Sequence, residues 1–112
     1  MADFRDLTVW QKSMTLARDV YAFTKNLPAD EKFGLTNQIR RCAVSIPSNI
    51  AEGSKRRTKQ DFTQFLKVAS GSAAELETQI LLADDIYGLS GTTLLNALKE
   101  IQRMLEVLMK RL

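Results

Sequence analysis

Apolar side chains recur along the chain at intervals of three and four residues, the spacing that places them on one face of an α-helix. This pattern predicts four helices, at about residues 7–26, 31–52, 59–87 and 93–111. The connecting segments are short, and short turns make successive helices antiparallel neighbours. The sequence therefore predicts an all-α fold, in which residues 1–112 form one antiparallel up-down-up-down four-helix bundle.

Each predicted helix has an apolar face that is expected in the core. In helix 1 this face is formed by Leu7, Trp10, Met14, Ala17, Tyr21 and Thr24. In helix 2 this face is formed by Leu35, Ile39, Cys42, Ile46, Asn49 and Gly53. In helix 3 it is formed by Phe62, Leu66, Ala69, Ala73, Leu76, Ile80, Ala83 and Tyr87. In helix 4 it is formed by Leu94, Leu98, Ile101, Leu105, Leu108 and Leu112. The apolar side chains outside these faces favour self-association. They include Val9, Phe23, Val68, Leu81, Leu82, Met104, Val107 and Met109.

Helix 2 contains residues that break local helix rules. Pro47 removes one backbone hydrogen bond and predicts a kinked helix. Asn49 occupies an apolar position and is expected to set the register by bonding a backbone carbonyl or a helix 3 side chain. Asp30 is expected to cap the helix, and Gly53 is typical of the left-handed residue that ends one. Gly71 in helix 3 predicts close packing of a neighbouring helix. Structural roles are therefore assigned to Pro47, Asn49, Gly53 and Gly71.

The composition is typical of an intracellular protein. Cys42 is the only cysteine, and its place on the apolar side of helix 2 indicates a small buried side chain in a reducing cytoplasm. The chain starts with acidic residues instead of an apolar signal segment, and no stretch approaches the roughly 18 uncharged apolar residues of a membrane span. We expect a cytoplasmic protein without a membrane partner.

Positive charge is concentrated in the middle of the chain. The net charge is +3, but residues 40–59 carry six basic side chains and one acidic side chain. Such a patch is compatible with nucleic-acid binding, although solvated helix ends and loops are also often basic. The better candidates for phosphate contact are the four cations with few expected partners inside the bundle, namely Lys55, Arg56, Arg57 and Lys59.

Arg40 and Arg41 allow two interpretations. They are the remaining basic side chains of the patch and so are further candidates for nucleic-acid contact. If helices 2 and 3 are antiparallel, however, both arginines come within about one helical turn of Glu75. An ion pair across the bundle would then give Glu75 a structural role.

The side chains required for common catalytic chemistry are missing. The chain has no histidine, which excludes histidine-based triads, and one cysteine cannot form a zinc cluster. Carboxylates one or two residues apart on a helix, such as Glu75 and Glu77, do not face each other. There is no phosphate-binding glycine motif after a strand. The sequence therefore predicts no catalytic residue, no cofactor and no metal site.

Several motifs extend over nearly the whole chain, at residues 7–11, 34–41, 45–53, 65–66, 71–72 and 75–77. Together they resemble the four-helix proteins named after the intervening sequences of 23S ribosomal RNA genes. The resemblance implies an antiparallel four-helix bundle that assembles into a homopentameric, barrel-like ring. It implies no established activity, although members are suspected of binding RNA or DNA.

Two hypotheses about function follow. In the first, the protein is a nucleic-acid-binding module whose basic turn between helices 2 and 3 is repeated around a ring. In the second, it is a structural or scaffold protein that presents the ring surface to another protein, and the basic turn is only solvated.

Overall fold

The computed structural model of the protein describes residues 3–112 and contains four long helices. They are α1 (Thr8–Thr24), α2 (Leu35–Ser54), α3 (Lys59–Tyr87) and α4 (Thr92–Arg111). Two short 3-10 turns, Phe4–Asp6 and Ala29–Glu31, precede α1 and α2. The ends of α3 and α4 lie within one residue of their predicted positions.

The helices pack in a square, each against its two neighbours. Contacts join α1 to α2, α2 to α3, α3 to α4 and α4 back to α1. Within residues 3–112, the diagonal pairs α1–α3 and α2–α4 have no Cα atoms within 8 Å of each other. The bundle measures 43 × 23 × 20 Å. This confirms the predicted all-α fold and agrees with an up-down bundle.

All four helices contribute side chains to one continuous core. The predicted faces of α3 and α4 are buried from Phe62 to Ala83 and from Leu94 to Leu105. Fully buried aliphatic residues of α2 complete the opposite side, at Ile39, Ile46 and Ile50. Long seams of this kind supply most of the stabilisation of a small helical domain.

The prediction for α1 is wrong about which face is buried. The core side of α1 is formed by Val9, Ser13, Leu16, Val20 and Thr24. Ser13 is fully buried, which its polarity argues against, and its Oγ donates to the backbone oxygen of Val9 at 2.7 Å. Because this bond satisfies the hydroxyl within its own helix, serine is tolerated in the core. Thr24 is buried as predicted, but Trp10, Met14, Ala17 and Tyr21 of the predicted face lie at the boundary between α1 and α2.

The predicted start of α2 is also wrong, because Asp30 lies in a 3-10 turn and the helix begins at Leu35. Glu31 replaces Asp30 as the capping group: its Oε1 accepts from the Leu35 N–H at 3.1 Å. The other oxygen of Glu31 accepts a hydrogen bond from the hydroxyl of Tyr87 at the end of α3. The Tyr87 bond, followed by the Leu35 bond, lowers the pKa of Glu31. Glu31 thus connects the start of α2 to the end of α3.

Pro47 is buried and lies inside α2, which continues past it to Ser54. A continuous helix is consistent with a proline in its interior when neighbouring groups compensate for the lost bond. The predicted kink at Pro47 stays a prediction.

The predicted roles of Gly53 and Gly71 are both wrong, because the close-packing position is Gly53 and not Gly71. Gly53 is not a left-handed cap: it lies inside the last turn of α2, and Gly88 is the described glycine with a positive φ, 68°. Gly53 is instead a close-packing position, because a Cβ there would lie 2.6 Å from the Cβ of Phe65. Gly71, expected to permit close packing, is exposed and has no atom within 4 Å of an added Cβ.

Candidate nucleic-acid interface

The basic turn between α2 and α3 is a short connection held by a helix cap. It consists of residues 55–58, between the end of α2 at Ser54 and the start of α3 at Lys59. Thr58 caps α3, since its Oγ1 accepts from the Asp61 N–H at 3.0 Å. All side chains of the turn and of Lys59 are exposed. The turn therefore presents its cations to solvent on a defined backbone.

Arg56 and Lys55 make more contacts within the chain than the sequence predicts. The Arg56 guanidinium forms an ion pair with Glu52 at 3.0 Å and lies 4.6 Å from the centre of the Phe65 ring. The Lys55 ammonium lies 5.7 Å from the centre of the Phe4 ring. Aromatic faces attract cations and leave their charge partly available. The expectation that these side chains have few internal partners is wrong for Arg56, whose charge is balanced by Glu52.

Arg57 and Lys59 are the two predicted phosphate contacts at this turn that have neither an ion pair nor an aromatic contact within residues 3–112. Both are exposed, and neither forms an ion pair within residues 3–112. A phosphate could approach either cation without first breaking a salt bridge. Of the predicted contacts, these two have the geometry best suited to an anion.

Arg40 and Arg41 are separated from the turn. The 15 residues from Arg40 to Lys55 correspond to about 22 Å along α2. Arg40 faces α1, where its Nε donates to the Thr24 Oγ1 at 2.8 Å and its guanidinium lies 4.5 Å from the centre of the Tyr21 ring. It therefore stabilises the α1–α2 contact, and the structure does not bring the six predicted cations into one patch.

The predicted ion pair between these arginines and Glu75 is absent from the described residues, where ion pairs join other side chains. Arg40 points to the opposite side of α2, and Arg41 is exposed. The partner of Glu75 is Cys42, whose Sγ donates to the Glu75 Oε2 at 3.1 Å. The interpretation of Glu75 as an arginine partner is wrong.

Sequence reasoning missed the cations at the end of α4. Lys110 lines a shallow groove together with Lys67 of α3 and Glu106 of α4, so the last turn of α4 lies beside the first turns of α3. Arg111 follows Lys110 in that turn. Basic residues in the last turn also suit the helix dipole, so no local signal marks them as a site. We define the basic end as Lys55, Arg57, Lys59, Lys110 and Arg111.

Asn49 makes the type of contact that the sequence predicts. Its Nδ2 donates to the backbone oxygen of Ser45 at 2.8 Å and to the Ser45 Oγ at 3.0 Å. The Ser45 Oγ lies 2.8 Å from the Ser72 Oγ of α3. Asn49 is half-buried and reaches α3 only through Ser45. Its role in setting the register stays a prediction.

Cys42 is expected to be a slow nucleophile. Burial, and then the hydrogen bond to Glu75, raises the pKa of Cys42 from 9.0 to about 11. This shift lowers its thiolate fraction at neutral pH about 100-fold, and the thiolate is the reactive form. Iodoacetamide at pH 8 should therefore label the folded protein far more slowly than the urea-unfolded chain. Equal rates would contradict the burial of this thiol.

The raised pKa of Cys42 also predicts how stability depends on pH. Since the thiol of the unfolded chain ionises at lower pH than that of the folded chain, the free energy of unfolding should fall as the pH rises from 9 toward 11.

The described residues contain neither a cluster of potential metal ligands nor a helix that could span a membrane. Residues 3–112 bring together no group of three His, Cys, Asp or Glu side chains able to hold a metal ion. None of the described helices combines the length and apolar character that a membrane crossing requires.

Comparisons with known proteins connect the chain to one family. The sequence model for the 23S rRNA-intervening sequence protein family matches residues 5–110. A crystal structure of a protein of unknown function from the S23 ribosomal protein family of Bacteroides thetaiotaomicron is similar, with a TM-score of 0.81 and 27% identity. The similarity covers 92% of this chain and 99% of that chain. No curated protein is significantly similar to this chain.

Proposed function

This chain belongs to the 23S rRNA-intervening sequence protein family, and on that premise we propose that it is a non-catalytic homo-oligomer that binds RNA or DNA. The contact would be made by the basic end. The observation that carries this proposal is the pair of exposed cations Arg57 and Lys59, which have no ion-pair partner within residues 3–112. Exposed cations of this kind release counterions when they neutralise phosphates.

The recognition should depend on phosphate and not on base sequence. Residues 55–58 contain no aromatic side chain on which a base could stack. The sequence also contains no recognised motif that places a helix in a groove to read base edges. RNA and DNA of different sequence should therefore bind with similar affinities.

Assembly would multiply the effect of a small patch. The family resemblance supports a ring of five chains, in which each subunit contributes one basic end. A nucleic acid that contacts two or more subunits gains avidity without any new type of contact. This explains how a few cations per chain could support useful affinity.

The salt dependence of binding tests the proposal. If Lys55, Arg57 and Lys59 of one subunit each contact a phosphate, log affinity should fall with log salt at a slope of about −2 to −3. Changing all three to glutamine should weaken binding and flatten the slope by a similar amount. Fluorescence anisotropy with labelled RNA and DNA strands at several salt concentrations measures both quantities.

A matched control uses two cations at the other end of the bundle. Lys25 and Lys32 are exposed and lie near the α1–α2 connection. Their double glutamine variant lowers the net charge by two, against three for the basic-end variant, and it should retain most of the binding. If it loses as much affinity as the basic-end variant, binding depends on net charge alone and the proposed site is refuted.

The scaffold function is the second candidate, and it is favoured by exposed apolar side chains such as Leu81 and Ile86. It predicts no measurable affinity for RNA or DNA even at roughly 50 mM salt. It further predicts one stoichiometric protein partner that survives nuclease treatment of a lysate. That combination of results would replace the nucleic-acid proposal.

A further inference from the structure

An apolar groove runs along the outer surface between α1 and α2. It has a volume of about 540 Å³ and is lined mainly by Trp10, Met14 and Tyr21 of α1 and by Val44, Pro47 and Ala51 of α2. Arg18 is its one charged lining residue among the described residues. We call this surface the α1–α2 groove. It contains four of the six residues that the sequence pattern of α1 places in the core, so their apolar character is unexplained by the packing of a single chain.

A second exposed apolar surface lies near the end of α3. Leu81, Leu82 and Ile86 are 50%, 42% and 57% exposed. Leu81 and Asp85 are four residues apart, as are Leu82 and Ile86, so the four side chains form two adjacent ridges. We call this surface the α3 face. It combines three large aliphatic side chains with one carboxylate.

The two surfaces have opposite charge. Residues 68–98 contain four acidic side chains and no basic one, so the segment of α3 that carries the α3 face is acidic. The α1–α2 groove has Arg18 in its lining, and Arg40 stacks on Tyr21 at its border. Each surface therefore combines apolar area with a charge opposite to that of the other surface, so the two are complementary.

We propose that the α1–α2 groove of one chain receives the α3 face of a second copy, with Arg18 facing Asp85. This inference rests on the homo-oligomer of the proposed function and names the surfaces that form it. The two surfaces share no residue, so the contact is head-to-tail. Contacts of this kind close into rings when the rotation between copies permits it.

A second copy suits the groove better than nucleic acid does. Interfaces with nucleic acid are polar and strongly basic, whereas this lining is apolar except for Arg18 and Ser48. Aromatic residues and methionine are enriched in the buried centres of protein interfaces. Trp10, Met14 and Tyr21 would supply such a centre.

Complementation between two defective variants tests the head-to-tail contact. Val44→Glu places an acid in the α1–α2 groove and leaves the α3 face intact. Ile86→Glu places an acid in the α3 face and leaves the groove intact. Each variant alone should have the 12.6 kDa mass of a monomer in light scattering. An equimolar mixture should form a dimer of about twice that mass, because one intact groove can receive one intact α3 face. Val107→Glu is the control, because Val107 is 44% exposed on α4 and should not affect the assembly.

Other occupants of the α1–α2 groove predict different masses for the two variants. A groove-to-groove contact would leave Ile86→Glu fully assembled, and occupation of the groove by a small molecule would leave both variants at the wild-type mass. Either result overturns the proposed pairing. A monomeric wild-type protein would instead overturn the homo-oligomer of the proposed function. Circular dichroism establishes that each variant is folded. As a second route, Arg18→Asp and Asp85→Arg should each weaken assembly at least tenfold, and their combination should restore it.

Discussion

Leu16→Ala should lower the free energy of unfolding by about 2–5 kcal/mol, the usual cost of truncating a buried leucine. Leu16 is 1% exposed and lies on the core side of α1. Because a small domain is stable by only about 5–15 kcal/mol, this single change would remove a large part of its stability. Urea unfolding at a fixed protein concentration, followed by circular dichroism, measures the effect.

Met14→Ala is the matched comparison, because it truncates a side chain of similar size on the same helix. Met14 is only half-buried and lines the α1–α2 groove. Its removal should have a smaller effect on the unfolding of a monomeric variant such as Val44→Glu, and it should weaken assembly of the wild-type protein. If Met14→Ala costs as much as Leu16→Ala in the monomeric variant, the assigned core side of α1 is incorrect.

Gly53→Ala is expected to destabilise the protein by about 1–3 kcal/mol, although alanine is the better helix former. The added Cβ would lie 2.6 Å from the Phe65 Cβ and 3.0 Å from the Phe62 Cδ1. The Phe65 Cβ is attached directly to the backbone, so α2 and α3 must separate to relieve the contact. Chemical denaturation of the purified variant measures the loss.

The same substitution at Gly71 should have the opposite effect on the free energy of unfolding. An added Cβ at Gly71 meets no atom within 4 Å, so Gly71→Ala should stabilise α3 by about 0.5–1 kcal/mol through helix propensity alone. If both variants are stabilised, the close approach of α2 and α3 at Gly53 is refuted. The comparison also concerns function, because the α2–α3 pair positions the turn that carries Arg57 and Lys59.

Much of the fold could be predicted from the sequence because the helical pattern is local. The regular spacing of Leu66, Leu76 and Ile80, and of Leu98 and Leu105, indicates which sides of α3 and α4 are buried. Gly88 and the short connections mark where helices must end and reverse. These features depend on residues close together in the chain, so no knowledge of the packed structure is required.

The face of α1 could not be predicted, because this helix is apolar on two sides. The pattern alone favours Trp10 and Met14, whereas packing buries Leu16 and the internally bonded Ser13. Which apolar side faces inward depends on the shape of the other three helices. For the same reason, the role of Gly53 appears only when the position of Phe65 on α3 is known.

The candidate interface shows the same division. The charge of residues 40–59 and the location of the basic turn follow from the sequence by itself, as do the four helices and the family resemblance. Only the tertiary structure separates Arg40 from the turn, pairs Arg56 with Glu52 and brings Lys110 beside α3. The physical reason is that helical periodicity is encoded by neighbouring residues. Charge pairing and burial, in contrast, depend on distances between residues that are far apart in the chain.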